Sequence, residues 1–334
     1  MRAVSLRDVA ARAGVSVKTV SNVVNGYVHV RPETRDRVQR ALSDLNYRPN
    51  LSARNLRGSR SGIIALALPE LDAPYFAELS RSIIKAAEAR AWTVLIDQTD
   101  GLLEREAVVL DGIRDHLIDG LIFSPLAVGR SELQQRSDQT PMVLLGEAAV
   151  GGADHVAIDN VAAAREATEH LIGLGRRRIA AIGTEPQEGT GRQRFTGYRQ
   201  ALRAAGLPTD RSLIRPVPTF HRRDGAATME QLLGLEEPPD AVFCFTDLLA
   251  LGAIRTLLSH GLQVPRDVAV VGFDDIEDGR FSTPTLTTIS PDKDQIARTA
   301  VDLLASRIGG QDSARPREIV AGHRLIARES TVGR

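Results

Sequence analysis

Two hydrophobic periods divide this chain. Over residues 5–48 the apolar positions recur at helical spacing. Val9, Ala10 and Ala13 share one face of a short helix that opens on Ser5 and Asp8, a pattern resembling a capping box with Asp in place of Glu. Gly14 lies where the chain must turn sharply, and Ser16 is placed to cap a second helix that sends Val20, Val23 and Val24 into a small core. The spacing predicts a third helix from about Pro32 to Leu45, with Pro in its first turn and Val38, Ala41, Leu42 and Leu45 as its core stripe. From Ser61 onward the period changes. Short apolar runs (Gly62–Leu68, Thr93–Ile96, Gly120–Phe123, Met142–Leu145, Val156–Ile158, Ile179–Ile182, Ala241–Phe245 and Val268–Phe273) alternate with amphipathic stretches. The stretches include Tyr75–Ala91, Val161–Leu174, Arg192–Ala205, Leu248–His260 and Asp294–Ile308. Buried runs alternating with helices imply parallel sheets covered on both faces. About ten strands is more than one such sheet usually carries, so two doubly wound lobes are expected, with a cleft outside the carboxyl ends of their strands.

A length of 334 residues fits two or three domains. The formal net charge of +0 conceals a division. Residues 1–60 carry 12 Lys+Arg against 4 acids, or +8, which leaves 30 against 38, or −8, for the remainder. A basic head on an acidic body is the electrostatic layout of a nucleic-acid reader whose body stays off the phosphates. The single cysteine, Cys244, excludes a disulfide framework within one chain and sits in an apolar run as a small buried hydrophobe. No run approaches the roughly 20 apolar residues of a membrane span, and no signal-peptide core precedes the first helix. A soluble, cytoplasmic protein with no membrane partner is expected.

The two short helices joined by Gly14-Val15-Ser16 form the pattern of a helix-turn-helix, whose second helix enters the DNA major groove. Its outer side carries Val17, Lys18, Ser21 and Asn22, short polar or methyl-bearing groups suited to base edges. Ser5, Ser16, Thr19 and Asn25 are placed to bond backbone phosphate oxygens. Catalysis finds no comparable signal. The seven histidines are scattered, and no His or Cys cluster has metal spacing. Gly189-Thr-Gly191 is followed by Arg194 where a dinucleotide fingerprint needs glycine. No enzyme activity, cofactor, metal or catalytic residue is expected.

The segment from Val4 to Leu56, through Val-Ser-Asn-Val-Val-Asn, Arg-Pro-Glu-Thr-Arg and Leu-Asn-Tyr-Arg-Pro-Asn, resembles the headpiece and hinge of the LacI/GalR family of bacterial transcription repressors. Ala-Ile-Asp-Asn, His-Leu-Ile-Gly-Leu-Gly-Arg-Arg-Arg-Ile-Ala, Asp-Val-Ala-Val-Val-Gly-Phe-Asp-Asp and Pro-Thr-Leu-Thr-Thr-Ile extend the resemblance through the body. It implies an all-α helix-turn-helix headpiece (residues 1–48), a hinge helix or linker (49–60) and an α/β, two-lobed body like a periplasmic binding protein (61–334). The first lobe would take about 61–159 and 291–321, the second about 160–289 and 322–334. The chain would cross between them near Asp159-Asn160, Ser290 and Gly322. In the family, paired hinge helices enter the minor groove and each inserts a leucine; Leu56 matches that leucine, Ala53 permits close approach, and Asn50 and Arg54 lie beside them.

Strand ends nominate the cleft residues. Ser124 ends one strand, Thr246 another, and Asp274 follows Val-Val-Gly-Phe. The resemblance adds Asp72, Tyr75 and Phe76 from the first lobe, Arg194 as the arginine that clamps effector oxygens, and Phe220 as an aromatic wall. Ring faces, a guanidinium and carboxylates suit a hydroxyl-rich effector. A sugar is the expected one, with a purine or nucleoside as the alternative. The implied function is ligand-controlled repression of a carbohydrate-use operon by a homodimer on a palindromic operator. A solute-binding protein or an enzyme on the same fold is the competing class.

Overall fold

The computed structural model describes residues 4–24, 27, 29–47, 60–111, 118–136, 138–146, 152–183, 189–310 and 315–333. The chain falls into two units, Met1–Ser61 and Gly62–Arg334.

The first unit packs α1 (Leu6–Ala13), α2 (Val17–Val24) and α3 (Pro32–Asp44) around a core of small apolar side chains. Val9, Ala10, Ala13, Val20, Val23, Val38 and Ala41 are buried, with Leu6, Val15, Val24, Leu42, Leu45 and Tyr47 packed against them. The backbone N–H and hydroxyl of Ser5 both donate to Asp8, at 2.8 and 2.6 Å, which fixes the start of α1. Gly14 ends that helix in the left-handed region, φ +61°, where a side chain would be strained. Ser16 Oγ then accepts the Thr19 N–H at 3.1 Å and caps α2. A surface ion pair supplements this small core: Arg12 on α1 reaches Asp44 on α3 at 2.8 Å.

The second unit contains two six-stranded sheets. The first holds β1 (Ile63–Leu68), β2 (Thr93–Gln98), β3 (Gly120–Phe123), β4 (Met142–Leu145), β5 (Asp154–Ile158) and β11 (Glu318–Ala321) in the order β11-β5-β4-β3-β1-β2. All its pairings are parallel, with Ile64 opposite both Val94 and Gly120. The second holds β6 (Ile179–Ile182), β7 (Ile214–Arg215), β8 (Ala241–Cys244), β9 (Ala269–Phe273), β10 (Thr287–Pro291) and β12 (His323–Ile326) in the order β12-β10-β9-β8-β6-β7. Here one strand departs from the expected all-parallel pattern. β11 leads into β12 through Gly322 alone, and β12 runs antiparallel to β10 at the sheet edge.

Helices cover both faces of each sheet. On the first, α4 (Pro74–Glu88) and α12 (Lys293–Ile308) bury Leu79, Ile83, Ala297, Val301 and Leu304 against Ile64, Leu66, Ile122 and Val143. α5 (Leu103–Leu110) and α6 (Arg130–Gln135) cover its other face at Leu121, Phe123, Met142 and Leu144. On the second, α7 (Asn160–Gly173) and α8 (Gly189–Ala204) take the face of Ala181, Phe243, Val271 and Phe273. α9 (Arg222–Leu233) and α10 (Asp247–Ser259) take the face of Ile182, Val242, Cys244 and Val270. Alternate residues of β6 and β8 therefore serve opposite cores, the two-residue period of a fully covered strand. Where α9 crosses α10 the backbones nearly touch: a Cβ on Gly252 would run into the Arg222 carbonyl oxygen, and one on Gly225 into that of Leu249. Two short helices, α11 (Glu277–Phe281) and α13 (Glu329–Val332), complete the second lobe.

Chain crossings join the lobes after β5, after β10 and between β11 and β12. The last two are tied together. Asp292 N–H donates to the Gly322 carbonyl at 2.9 Å, and Gly322 N–H donates to Gln295 Oε1 at 2.8 Å. Among the described residues no helix is long and apolar enough to cross a membrane.

Candidate functional site

Between the lobes lies a cavity of about 150 Å³. Its walls come from the carboxyl ends of strands, where parallel sheets leave room for a ligand. From the first lobe come Glu70, Tyr75, Phe76, Ser124, Leu126, Leu145, Gly146, Val156 and Ile158. The second lobe contributes Asn160, Thr190, Arg194, Phe220, Thr246, Leu248, Phe273, Asp274 and Ile276. Of the residues expected from the sequence, Tyr75, Phe76, Ser124, Arg194, Phe220, Thr246 and Asp274 are thus brought together. Asp72 is not among them: it is exposed on the loop before α4, while its neighbours Ala73 and Pro74 turn toward the cavity. Asn160, Thr190, Phe273 and Leu126 join the lining without a distinct signal in the sequence pattern. Two clues do point toward such residues: Asn160 is where the first interlobe crossing enters α7, and Phe273 is the ring preceding Asp274.

Arg194 is the most constrained group of the second-lobe wall. Projecting from α8, it lies over the Phe273 ring, 3.6 Å from guanidinium carbon to centroid. Its Nε donates to Asn160 Oδ1 at 3.0 Å and its Nη1 to the Phe245 carbonyl. Its Nη2 stands 3.9 Å from Asp274 Oδ1. The guanidinium is therefore oriented before any ligand arrives.

Two consecutive carboxylates have opposite environments. Asp274 has φ +114° and Asp275 φ +48°, both in the region that side chains disfavour. Burial pushes the Asp274 carboxyl up to about 6, against the opposing pull of Arg194 and Lys293. Asp275 faces away from the cavity. Burial opposes its ionisation, but Arg328 at 2.6 Å and Arg280 at 3.0 Å hold it below the usual carboxylate range. Ser290 also donates to it, at 2.9 Å. Behind this pair, Asp247 is wholly buried at the start of α10. Thr288 donates to it at 2.6 Å and the Ile276 N–H at 2.9 Å, while burial and nearby Asp274 push its carboxyl well above the usual range.

The first-lobe wall is different. Tyr75 and Phe76 meet edge to face at 5.3 Å, and burial raises the Tyr75 phenol. Leu145, Val156 and Ile158 continue the wall in hydrocarbon, and Ser124 and Tyr75 bring hydroxyls to it. Polar ties bridge the lobes beside it. Glu78 on α4 accepts the Glu277 N–H at 3.0 Å and the Lys293 ammonium at 2.6 Å; Lys293 donates to the Asp275 carbonyl at 3.0 Å. Glu70 lies 3.7 Å from His221. A wider groove of about 730 Å³ opens beyond Lys293, but its Glu78 and Asp275 carboxylates are already paired with Lys293 and Arg280. The enclosed cavity is the better ligand site.

In the headpiece, α2 presents Val17 and Lys18 to solvent, with Ser16 exposed at its cap and Thr19, Ser21 and Asn22 half-exposed. Ser5 is half-exposed at the start of α1. Asn25, Asn50, Ala53, Arg54 and Leu56 lie outside the described residues. Among the described residues no group of His, Cys, Asp and Glu is arranged to hold a metal ion.

Residues 5–50 match the family profile of bacterial regulatory proteins, lacI family, and residues 168–331 that of a periplasmic binding protein-like domain. The chain is 36% identical over 313 residues to the HTH-type transcriptional repressor CytR of Escherichia coli strain K12, covering 92% of this chain and 91% of that protein. It resembles the structure of a transcriptional regulator CelR–cellobiose complex at 34% identity and TM-score 0.71, over 98% of this chain and 99% of the other. It also resembles the lac repressor dimer bound to operator and an anti-inducer, at 27% identity and TM-score 0.87, over 99% of both chains.

Proposed function

This chain belongs to the LacI family of bacterial regulatory proteins, and from that premise we propose how its cleft governs its headpiece. It is a transcriptional repressor that binds operator DNA as a dimer and responds to a small molecule, acting in the cytoplasm where its operator lies. Lys18 and Asn22 read base edges, Val17 meets a thymine methyl, and Ser5, Ser16 and Thr19 bond phosphates. Arg194, Asp274, Thr246 and Ser124 bind the effector's polar groups, while Tyr75, Phe76 and Phe220 cover its rings. Effector binding favours one relative orientation of the lobes, and the spacing of the two headpieces in the dimer follows.

The observation that carries the effector's chemistry is the concentration of hydrogen-bonding groups on one wall. Arg194, Asp274, Asn160 and Thr190 all belong to the second lobe, whereas the inner face of the first is mostly carbon, with Ser124, the Tyr75 hydroxyl and Glu70, which stands 3.7 Å from His221, as its polar groups. A free pyranose carries hydroxyls around its whole rim. Each one turned toward Leu145, Val156 or Ile158 without a partner would cost about 1–3 kcal/mol. A molecule with a hydroxylated half and a flat apolar half, such as a nucleoside or an aryl glycoside, avoids that cost.

A thermal-shift comparison of adenosine, cytidine, ribose and cellobiose on the full chain tests this reading. A bound ligand at 100 times its Kd adds ~2.7 kcal/mol of stability. The nucleosides are expected to raise Tm and the two free sugars to leave it unchanged. The reverse result would restore the fully hydroxylated sugar as effector.

A further inference from the structure

Glu106 lies outside the cleft, yet it is fully buried (0% exposed) on α5. Its carboxylate accepts three successive backbone N–H groups, those of Leu126 at 2.8 Å, Ala127 at 2.9 Å and Val128 at 2.7 Å. Among the described residues no cation pairs with it. A buried carboxylate without a counter-ion is costly unless donors surround it, and here the donors are all main-chain groups of one loop. That loop follows β3, and two of its residues, Ser124 and Leu126, line the cleft.

Leu126 is itself unusual, an aliphatic side chain 52% exposed at the rim of an otherwise sheltered cavity. Gly101 braces it from behind. A Cβ there would stand 3.0 Å from Leu126 Cδ1, and the glycine sits at φ +62°. The rim is thus held from two sides, through its backbone by Glu106 and through its side chain by the close approach of Gly101.

We infer that Glu106 is a positioning residue for effector recognition: it fixes the main chain of residues 126–128, the loop that leaves the sheet after Ser124, and so holds the Leu126 side chain at the place where a ligand meets it. The inference rests on the cleft being the effector site. A neutral side chain of the same shape cannot replace Glu106. An amide presents one acceptor oxygen and turns its NH₂ toward an N–H, so part of the donor set is lost and the loop gains alternative conformations.

The test uses full-length Glu106→Gln, Leu126→Ala and the double variant. Hydrogen exchange without ligand is read at the amides of Leu126, Ala127 and Val128, with the β8 and β9 amides as reference. Glu106→Gln is expected to speed exchange at the three loop amides about tenfold or more and leave the reference strands unchanged; Leu126→Ala leaves both unchanged. Unchanged loop exchange, or equal acceleration in both lobes, would overturn the inference. Calorimetry with adenosine and with cellobiose gives the second arm. Glu106→Gln is expected to weaken whichever probe wild type binds about tenfold, and adding Leu126→Ala should cost little more, because a displaced rim has already lost that contact. Undiminished affinity, or fully additive losses, would refute a role through the loop. Wild type binding neither probe would count against the proposed effector chemistry, and loop exchange would then decide the present inference. Should Glu106→Gln not fold, Glu106→Asp, which withdraws the carboxylate by one methylene, is read in the same way.

Discussion

On its first-lobe side the cleft presents mainly Tyr75, Phe76, Leu145, Val156 and Ile158, with Ser124 and Glu70; on its second-lobe side it sets Asn160, Thr190, Arg194, Thr246 and Asp274 beside Phe220 and Phe273. The two walls come from sheets of nearly the same topology, each with six strands. Architecture therefore does not set their difference; the side chains at the strand ends do. The polar wall is preorganised, with Arg194 already bonded to Asn160 and Phe245, so little ordering remains to be done on binding. The apolar wall is shaped, with its rim fixed by Glu106. One wall supplies directional bonds and the other excludes water from them.

The largest effect should come from the polar wall. Arg194→Ala removes a guanidinium that lies over Phe273 and that, in the proposed site, bonds the ligand's oxygens. Hydrogen bonds to a charged group are worth about 1.5–3 kcal/mol each, so the loss should be on the order of a hundredfold or more in effector affinity by calorimetry. Unliganded operator binding should persist. An Arg194→Ala protein with wild-type ligand affinity would show that the polar wall is structural only.

Next comes Asp274, whose ordinary carboxyl value of 3.8 is pushed up to about 6 in the fold. The folded chain thus holds this proton more tightly than the unfolded chain. Its stabilising contribution is fully present below about pH 4 and is lost as pH rises through about 6. Effector binding runs the other way. Ligand hydroxyls donate to the ionised carboxylate, so affinity should rise roughly tenfold between about pH 5 and 7.5, and Asp274→Asn should flatten that rise. A wild-type affinity independent of pH would remove Asp274 from the contact set.

The apolar wall should respond more weakly. Phe76→Ala should cost about 0.5–1.5 kcal/mol of affinity beyond lost area, since a ring face is replaced and no bond is broken. Tyr75→Phe should have the smallest effect, within about twofold. A large loss from Tyr75→Phe would show that its hydroxyl bonds the ligand, and the division between the walls would fail.

The paired-sheet architecture is legible in the sequence because most of its strands are continuous apolar runs. β3, β4 and β6 begin and end where Gly120–Phe123, Met142–Leu145 and Ile179–Ile182 do. Strands that break this rule escape the pattern for physical reasons. β11 and β12 are edge strands with a half-exposed face, so they open on polar residues, Glu318 in one and His323-Arg324 in the other. β10 reads Thr-Thr-Ile-Ser-Pro; its Thr287 and Thr288 are buried, and they are satisfied by Thr331, Arg328 and Asp247 rather than by hydrocarbon. Among site residues, those at strand ends or in charged motifs can be anticipated. Asp72 shares a segment with Tyr75 and Phe76, but it stays exposed on the loop while the two rings reach the cavity. Glu106 carries no signal in the sequence, because only the fold brings α5 beneath the loop after β3.

The bridge made by Glu78 and Lys293 bears on how such a protein can evolve. Both residues belong to the first lobe but bond the main chain of the second at Glu277 and Asp275, beyond the cleft's own lining. Their bonds do not depend on which side chains the second lobe carries, because the partner groups are an N–H and a carbonyl. A lineage can therefore rewrite the ligand-binding wall freely while keeping this bridge. Conversely, a change at Glu78 or Lys293 alters how readily the lobes part without replacing a lining side chain, and it reaches the cleft through the charge that each sets near Asp274. Selection on a new effector and selection on the sense of the response, release or tightening, can then proceed at separate positions. In a protein whose task is to connect one chemical signal to one set of genes, that separation lets the connection be rewired one substitution at a time.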